Sequence, residues 1–102
     1  MICEKCGEDF SNYKWESGKK YLGIEDHHNP PEFMVEKWDG TWHKLCHKHH
    51  RELHDEIIKI INKGNLKFVK SEYWAWIKIL PIDRPKIIKE VMEYTKRWLN
   101  DS

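Results

Sequence analysis

Leu45-Cys46-His47-Lys48-His49-His50-Arg51-Glu52-Leu53-His54 is the stretch that carries most information about this chain. With His43 it brings five of the seven histidines into twelve residues, beside one of three cysteines. Imidazoles and thiolates at that density point to metal ligation, because zinc and related ions favour these donors. The same stretch opens a helix. From about His47 to Asn62, Leu53, Ile57, Ile60 and Ile61 recur on one side, and Gly64 stands where a left-handed cap would close it.

Outward from this segment, Cys3-x-x-Cys6 and Cys46-x-x-His49 are two pairs of equal pitch. Zinc takes four such ligands as a tetrahedron, usually from two turns that each aim two side chains inward. Because the pairs lie about 40 residues apart, the chain between them must be a folded insert whose ends the metal joins. Cys3, Cys6, Cys46 and His49 are therefore the candidate ligands of a structural zinc, which would supply much of the stability of a small domain. The three cysteines cannot all pair with one another, and a redox reading of the CxxC lacks a surrounding βαβ pattern.

The 102 residues predict one domain. A charged fraction of 34% and the lack of any apolar run near 20 residues exclude a membrane span. With no basic and apolar leader before Cys3, the expectation is a cytoplasmic protein with no membrane partner. The net charge of +1 divides into −3 over residues 1–55 and +4 over residues 56–102. A basic second half is compatible with a polyanion and equally with ordinary solvated helix faces.

Residues 1–20 read as a turn-rich knuckle, with Gly7, Ser11-Asn12 and Ser17-Gly18 as turn signals. Tyr21 to His28 reads as a strand that Pro30 and Pro31 must end. Phe33 to Trp38 and Thr41 to Leu45 flank Asp39-Gly40, a strong hairpin signal that predicts two short paired strands. Asn65 to Leu80 reads as a second helix capped by Ser71, with Val69, Tyr73, Trp76, Ile77 and Leu80 on one side. Asp83 then caps a last helix with Pro85 in its first turn, and Ile87, Ile88, Val91, Met92, Thr95, Trp98 and Leu99 form its stripe. The prediction is an α+β unit: a zinc knuckle and strand-strand-helix core over residues 1–63, and a helical extension over residues 64–102.

Beyond the zinc pairs, His50 and His54 stand at i and i+4, so one helix face presents two further nitrogen ligands. A third can come from Glu25-Asp26-His27-His28, where strand neighbours face opposite sides and one histidine can stay unligated. These residues, Glu25-Asp26-His27-His28-Asn29-Pro30-Pro31 followed by Leu45 to His54, resemble the HNH endonuclease family in its zinc-stapled ββα-metal form. The resemblance covers residues 3–54. It implies His28 as general base and His27, His50 and His54 as ligands of a catalytic divalent metal: magnesium, manganese, nickel or zinc. It further implies hydrolysis of DNA phosphodiesters to 5′-phosphate and 3′-hydroxyl ends, by nicking or double-strand cleavage, with RNA open as a substrate. His49 stands where the family has a cysteine. Thr41 stands where it has the middle asparagine, which braces the loop of the base; a hydroxyl offers fewer donors for that task.

Several residues keep two readings. Glu25 and Asp26 are candidates to orient a bound histidine, or Asp26 to ligate with His27 as the base in a shifted register, which the proline spacing opposes. His47 is a phosphate contact or a bystander, and His43 a packed or exposed strand residue. Lys44, Lys48 and Arg51 can hold phosphates or be solvated charge. Trp74 and Trp76, near Lys67, Lys70 and Lys78, cannot share a helix face, so one of them is a candidate for an exposed contact with nucleic acid or a second subunit. The C-terminal helices are accordingly a candidate homodimer surface. The rival function is a noncatalytic zinc module that binds nucleic acid or protein.

Overall fold

The computed structural model describes residues 2–9 and 24–101. In chain order these form strand β1 (Ile24–Asn29), a 3-10 turn (Glu32–Met34), strand β2 (Thr41–Cys46), and helices α1 (His47–Asn62), α2 (Glu72–Ile77) and α3 (Arg84–Asn100). The described residues thus make a small mixed α/β fold with a two-stranded sheet and three helices. The expected turns at Ser11-Asn12 and Ser17-Gly18, and the first residues of the expected strand, lie outside the described residues.

β1 stops one residue before Pro30, as a chain without the next backbone donors must. It pairs antiparallel with β2 from Ile24 opposite Cys46 to Asn29 opposite Thr41. This corrects the hairpin expected at Asp39-Gly40. After Pro31 the chain turns too tightly for a strand, with the Met34 and Val35 amides donating to the Pro31 and Glu32 carbonyls at 3.1 and 3.3 Å. That turn buries Met34, and the freed edge of β2 goes to β1. Gly40 serves a different purpose from a hairpin turn: a Cβ there would lie 2.1 Å from the Asn29 carbonyl oxygen. Only glycine allows the start of β2 to come so close to the end of β1.

α1 starts directly after β2, with Cys46 in extended backbone as its N-cap. Its apolar face is the expected one, with Leu53, Ile57, Ile60 and Ile61 buried. Each such side chain contributes roughly 1.5–3 kcal/mol when fully buried. The left-handed cap at Gly64 is not formed. The helix leaves through Lys63 in right-handed backbone, and among the described residues only Gly7 has a positive φ, at 75°. The space beside Gly64 is filled by Ile79, whose Cδ1 would lie 3.2 Å from an added Cβ.

The second helix is shorter than expected, because residues 65–70 are fastened as a loop by buried Asn62. Its amide donates to the Ile58 and Val69 carbonyls and its carbonyl accepts from the Val69 amide at 2.7 Å. Ser71 caps α2 as expected, accepting from the Trp74 amide. The buried side is Ala75 and Trp76, followed by Ile79, whereas Tyr73, Ile77 and Leu80 are exposed. This departs from the expected stripe because Glu72, Ala75 and Trp76 take the inward side of α2, leaving Tyr73 and Ile77 on the opposite side, and Leu80 lies beyond the helix end at Ile77. In α3, Ile87, Val91 and Thr95 are buried, with Ile88, Trp98 and Leu99 packed beside them. Pro85 lies in its first turn, but the Asp83 side chain makes no capping bond.

The N-terminal knuckle closes the structure. Lys5 donates to the Trp98 and Asp101 carbonyls at the end of α3 and lies 4.7 Å from the Trp98 ring centre. A cation there satisfies carbonyls at the negative end of the helix. No described helix is long and apolar enough to cross a membrane.

Candidate metal centres

The four donors of the first centre come from one turn and a helix start. Cys3, Cys6, Cys46 and His49 each offer a ligand atom, and these atoms all lie within 4.8 Å of one another. In the knuckle, the Cys3 amide donates to the Glu8 carbonyl and the Gly7 amide to the Cys3 carbonyl, with Gly7 in the left-handed backbone such a tight turn needs. The Glu4 amide donates to the Lys44 carbonyl at 2.8 Å, docking the knuckle on β2. His49 Nδ1 is 3.1 Å from Cys46 Sγ and 3.9 Å from Cys3 Sγ.

Burial raises the Cys3 thiol, but the backbone amides of Cys46, Cys6 and Lys5 outweigh it and bring its pKa below the usual value. Burial pushes the Cys46 thiol up to about 11, with the nearby sulfurs adding to the rise. Thiols crowded in this way are held apart as anions only by a shared cation, and two-plus-two Cys/His donors at this spacing suit a tetrahedral zinc. The cluster can therefore hold a metal ion.

The second centre lies across α1. His27 of β1 and His50 and His54 of α1 also offer nitrogen atoms within 4.8 Å of one another. Their ring centres are 5.3 Å (His27 to His50), 5.0 Å (His27 to His54) and 4.6 Å (His50 to His54) apart. His50 Nδ1 is 2.9 Å from Glu25 Oε1, and His54 Nδ1 is 2.7 Å from Glu72 Oε1. In the neutral ring, an Nδ1 that donates to a carboxylate leaves Nε2 as a lone pair. The two Nε2 atoms face each other at 3.0 Å. Two lone pairs at that distance repel unless a proton or a cation lies with them.

His27 makes the same point by burial. Its side chain is 1% exposed, and neither ring nitrogen has a hydrogen-bond partner. Such a group costs about 1–3 kcal/mol when left unsatisfied. Burial, with the charges of His54 and His50 next in size, takes its pKa down to about 3. Burial also lowers His50, against the opposing pull of Glu25. These rings are kept neutral, as ligands must be. Convergent lone pairs, an orphaned buried imidazole and two carboxylates behind the ligands fit a bound divalent cation.

His28 lines the same open cavity of about 560 Å³ as His27, His50, His54, Asp26, Pro31, Glu32 and Phe33. Its ring lies 3.9 Å from that of Trp42 and 5.0 Å from that of Trp38, and Trp38 is fixed in turn by donating to the Pro30 carbonyl at 2.6 Å. Glu32 Oε1 is 2.8 Å from His28 Nε2, but off the direction of a hydrogen bond. Thr41 does not brace His28. Its hydroxyl is 3.0 Å from His43 Nε2, and His43 Nδ1 is 3.0 Å from Glu4 Oε1, so Thr41 and His43 tie β2 to the N-terminal knuckle. The side chains that pack against the His28 ring are Trp38 and Trp42.

The remaining expectations separate cleanly. Asp26 is paired with Lys44 at 2.6 Å and His27 is buried, so the shifted register with Asp26 as ligand and His27 as base is not the one the fold presents. His47 Nδ1 is 3.3 Å from Glu25 Oε2, so the Glu25 carboxylate spans His47 through Oε2 and His50 through Oε1. Of the two helical tryptophans, Trp76 is buried and Trp74 is 60% exposed. Glu72 is the residue that sequence reading missed; its only signal was a carboxylate just after the Ser71 cap. Comparison with protein-family models, curated proteins and solved structures gives no match.

Proposed function

We propose that this chain is a metal-dependent endonuclease of the HNH type that hydrolyses phosphodiester bonds in DNA. The observation that carries the reading is the juxtaposition of the His27, His50 and His54 nitrogens with an unligated fourth imidazole, His28, in one open cavity. The order of strand, strand and helix supports it, as does the second donor set at the strand-helix junction.

His27, His50 and His54 would hold the cation, oriented by Glu25 and Glu72. When bound, the cation supplies positive charge for the phosphate oxygens and for the departing 3′ oxygen. This chain's own residues do the rest. Neutral His28 accepts a proton from water as its oxygen attacks phosphorus, and the bond from phosphorus to the 3′ oxygen breaks. The ends are a 5′-phosphate and a 3′-hydroxyl. Trp38 and Trp42 hold the His28 ring, and the Glu32 carboxylate favours the imidazolium that forms. Cys3, Cys6, Cys46 and His49 would hold the structural zinc that joins the knuckle to the start of α1.

Incubation with supercoiled plasmid and manganese tests the proposal: the parent chain nicks or linearises the plasmid, and His28→Ala retains both metals but loses the cleavage. Cleavage unchanged in His28→Ala would reject the base assignment. No cleavage by the parent with both centres loaded would favour the noncatalytic zinc module.

A further inference from the structure

α2 faces two ways. On one side Glu72 reaches His54 and Trp76 enters the core; on the other Tyr73 and Trp74 are 52% and 60% exposed. These rings touch edge to face, with centres 5.6 Å apart, and Tyr73 meets Phe33 at 6.4 Å. Phe33 lines the His27–His50–His54 cavity. A run of aromatic rings therefore leads from the cavity to the outside of α2.

At the cavity end the run meets the carboxylates of Asp26 and Glu32, whereas the chain flanking α2 is basic. Between Leu66 and Leu80 the chain carries Lys67, Lys70 and Lys78, all exposed, and a single carboxylate, Glu72, which is turned inward to His54. Among the described residues no carboxylate forms an ion pair with these three lysines. Exposed rings flanked along the chain by exposed ammonium groups, two of which, Lys67 and Lys78, line one hollow beside α2, suit a polyanion that also offers flat apolar faces. That is the chemistry of a nucleic-acid strand whose bases are unstacked. A duplex offers the phosphates but keeps its base faces covered.

We propose that the outer face of α2 is a stacking platform on which Trp74, with Tyr73 and Lys67, Lys70 and Lys78, holds unpaired bases of a single strand that runs into the metal cavity. This rests on the nuclease reading for the strand's destination, and it narrows the substrate class to single-stranded, frayed or branched nucleic acid. Because Tyr73, Trp74 and the orienting carboxylate Glu72 all belong to the six residues of α2, a strand seated on Trp74 lies on the element that fixes His54.

The test is fluorescence anisotropy of a short labelled single-stranded oligonucleotide and of its duplex, using the full zinc-loaded chain in a His28→Ala background. The expected result is tighter binding of the single strand. Trp74→Ala weakens it about five- to a hundredfold, the range of one stacked base, while duplex binding stays within twofold. Trp74→Phe retains most of the affinity, which separates stacking from damage to the fold. Equal single-strand affinity in Trp74→Ala would overturn the proposal. So would Trp74-dependent binding to phosphatidylserine vesicles without oligonucleotide binding, or Trp74-dependent self-association in sedimentation. Trp74-dependent binding of the single strand, with neither that strand nor plasmid cut by the manganese-loaded parent chain, would reject the nuclease reading alone. Cleavage with binding indifferent to Trp74 would reject the platform alone.

Discussion

Replacing Glu72 by alanine should weaken the three-histidine centre while leaving the Cys/His centre untouched. Glu72 Oε1 lies 2.7 Å from His54 Nδ1, and the carboxylate is 20% exposed, so the bond between them is charge-assisted and partly shielded from water. Its removal frees His54 to rotate or to take the other tautomer. Loss of such an outer partner typically costs 10- to 100-fold in metal affinity, or about 1.4–2.7 kcal/mol. His50 keeps Glu25, so one oriented ligand remains and the loss stays within that range. Titration calorimetry of manganese into zinc-loaded protein should show Kd for Glu72→Ala raised by about 10- to 100-fold. Glu72→Gln, whose amide oxygen still accepts from Nδ1, should fall between the two. A manganese Kd within twofold of the parent in both variants would refute the assignment of Glu72, and loss of zinc would show that its role is structural.

Acid should destabilise the metal-free second centre in a defined window. His27 has a native pKa of about 3 against an ordinary value near 6.5, so the unfolded chain binds its proton first; stability is level above pH 6.5 and falls as pH drops from there towards 3. The slope from His27 is up to about 1.4 kcal/mol per pH unit, measurable by urea unfolding in the upper part of that window, before acid strips the zinc centre, and His27→Leu should remove this part and leave that of His50, whose pKa burial also lowers. Cys3→Ala should remove the clip between the knuckle and α1, lowering the melting temperature by at least about 10 °C and abolishing stoichiometric zinc by mass spectrometry; an unchanged melting curve would count against the clip. Gly40→Ala should cost about 1–3 kcal/mol in chemical unfolding, because the Asn29 carbonyl has no room to yield without shifting the end of β1.

What could be read from the amino acids follows a physical division. α1 and α3 were legible because Leu53, Ile57 and Ile61, or Ile87, Val91 and Thr95, repeat with helical period against one core. The two Cys/His pairs and the His50–His54 pair were legible because their spacing within one turn or one helix face is local, whereas His27, far from them in sequence, was only implied by the family resemblance. The partner of β2 was not. Asp39-Gly40 signals a local hairpin, and the competing pairing with β1 depends on a turn that buries Met34 and on the close approach at Gly40, neither of which has a local signature. Glu72 was hidden for a similar reason: it lies eighteen residues from His54 in a segment whose helix boundaries depend on the Asn62 anchor. The division of labour between Trp74 and Trp76 followed from helix geometry, but which of them turns inward depends on where α2 packs against α1.

The most direct measurement is anomalous diffraction from crystals of the zinc-loaded protein soaked in manganese, with data at the edges of both metals. The account predicts a zinc peak enclosed by Cys3, Cys6, Cys46 and His49, and a manganese peak bonded to the ring nitrogens of His27, His50 and His54, with His28 unbonded on the cavity side. A manganese peak bonded to His28, or three imidazoles that leave the manganese unbound at saturating concentration, would contradict it.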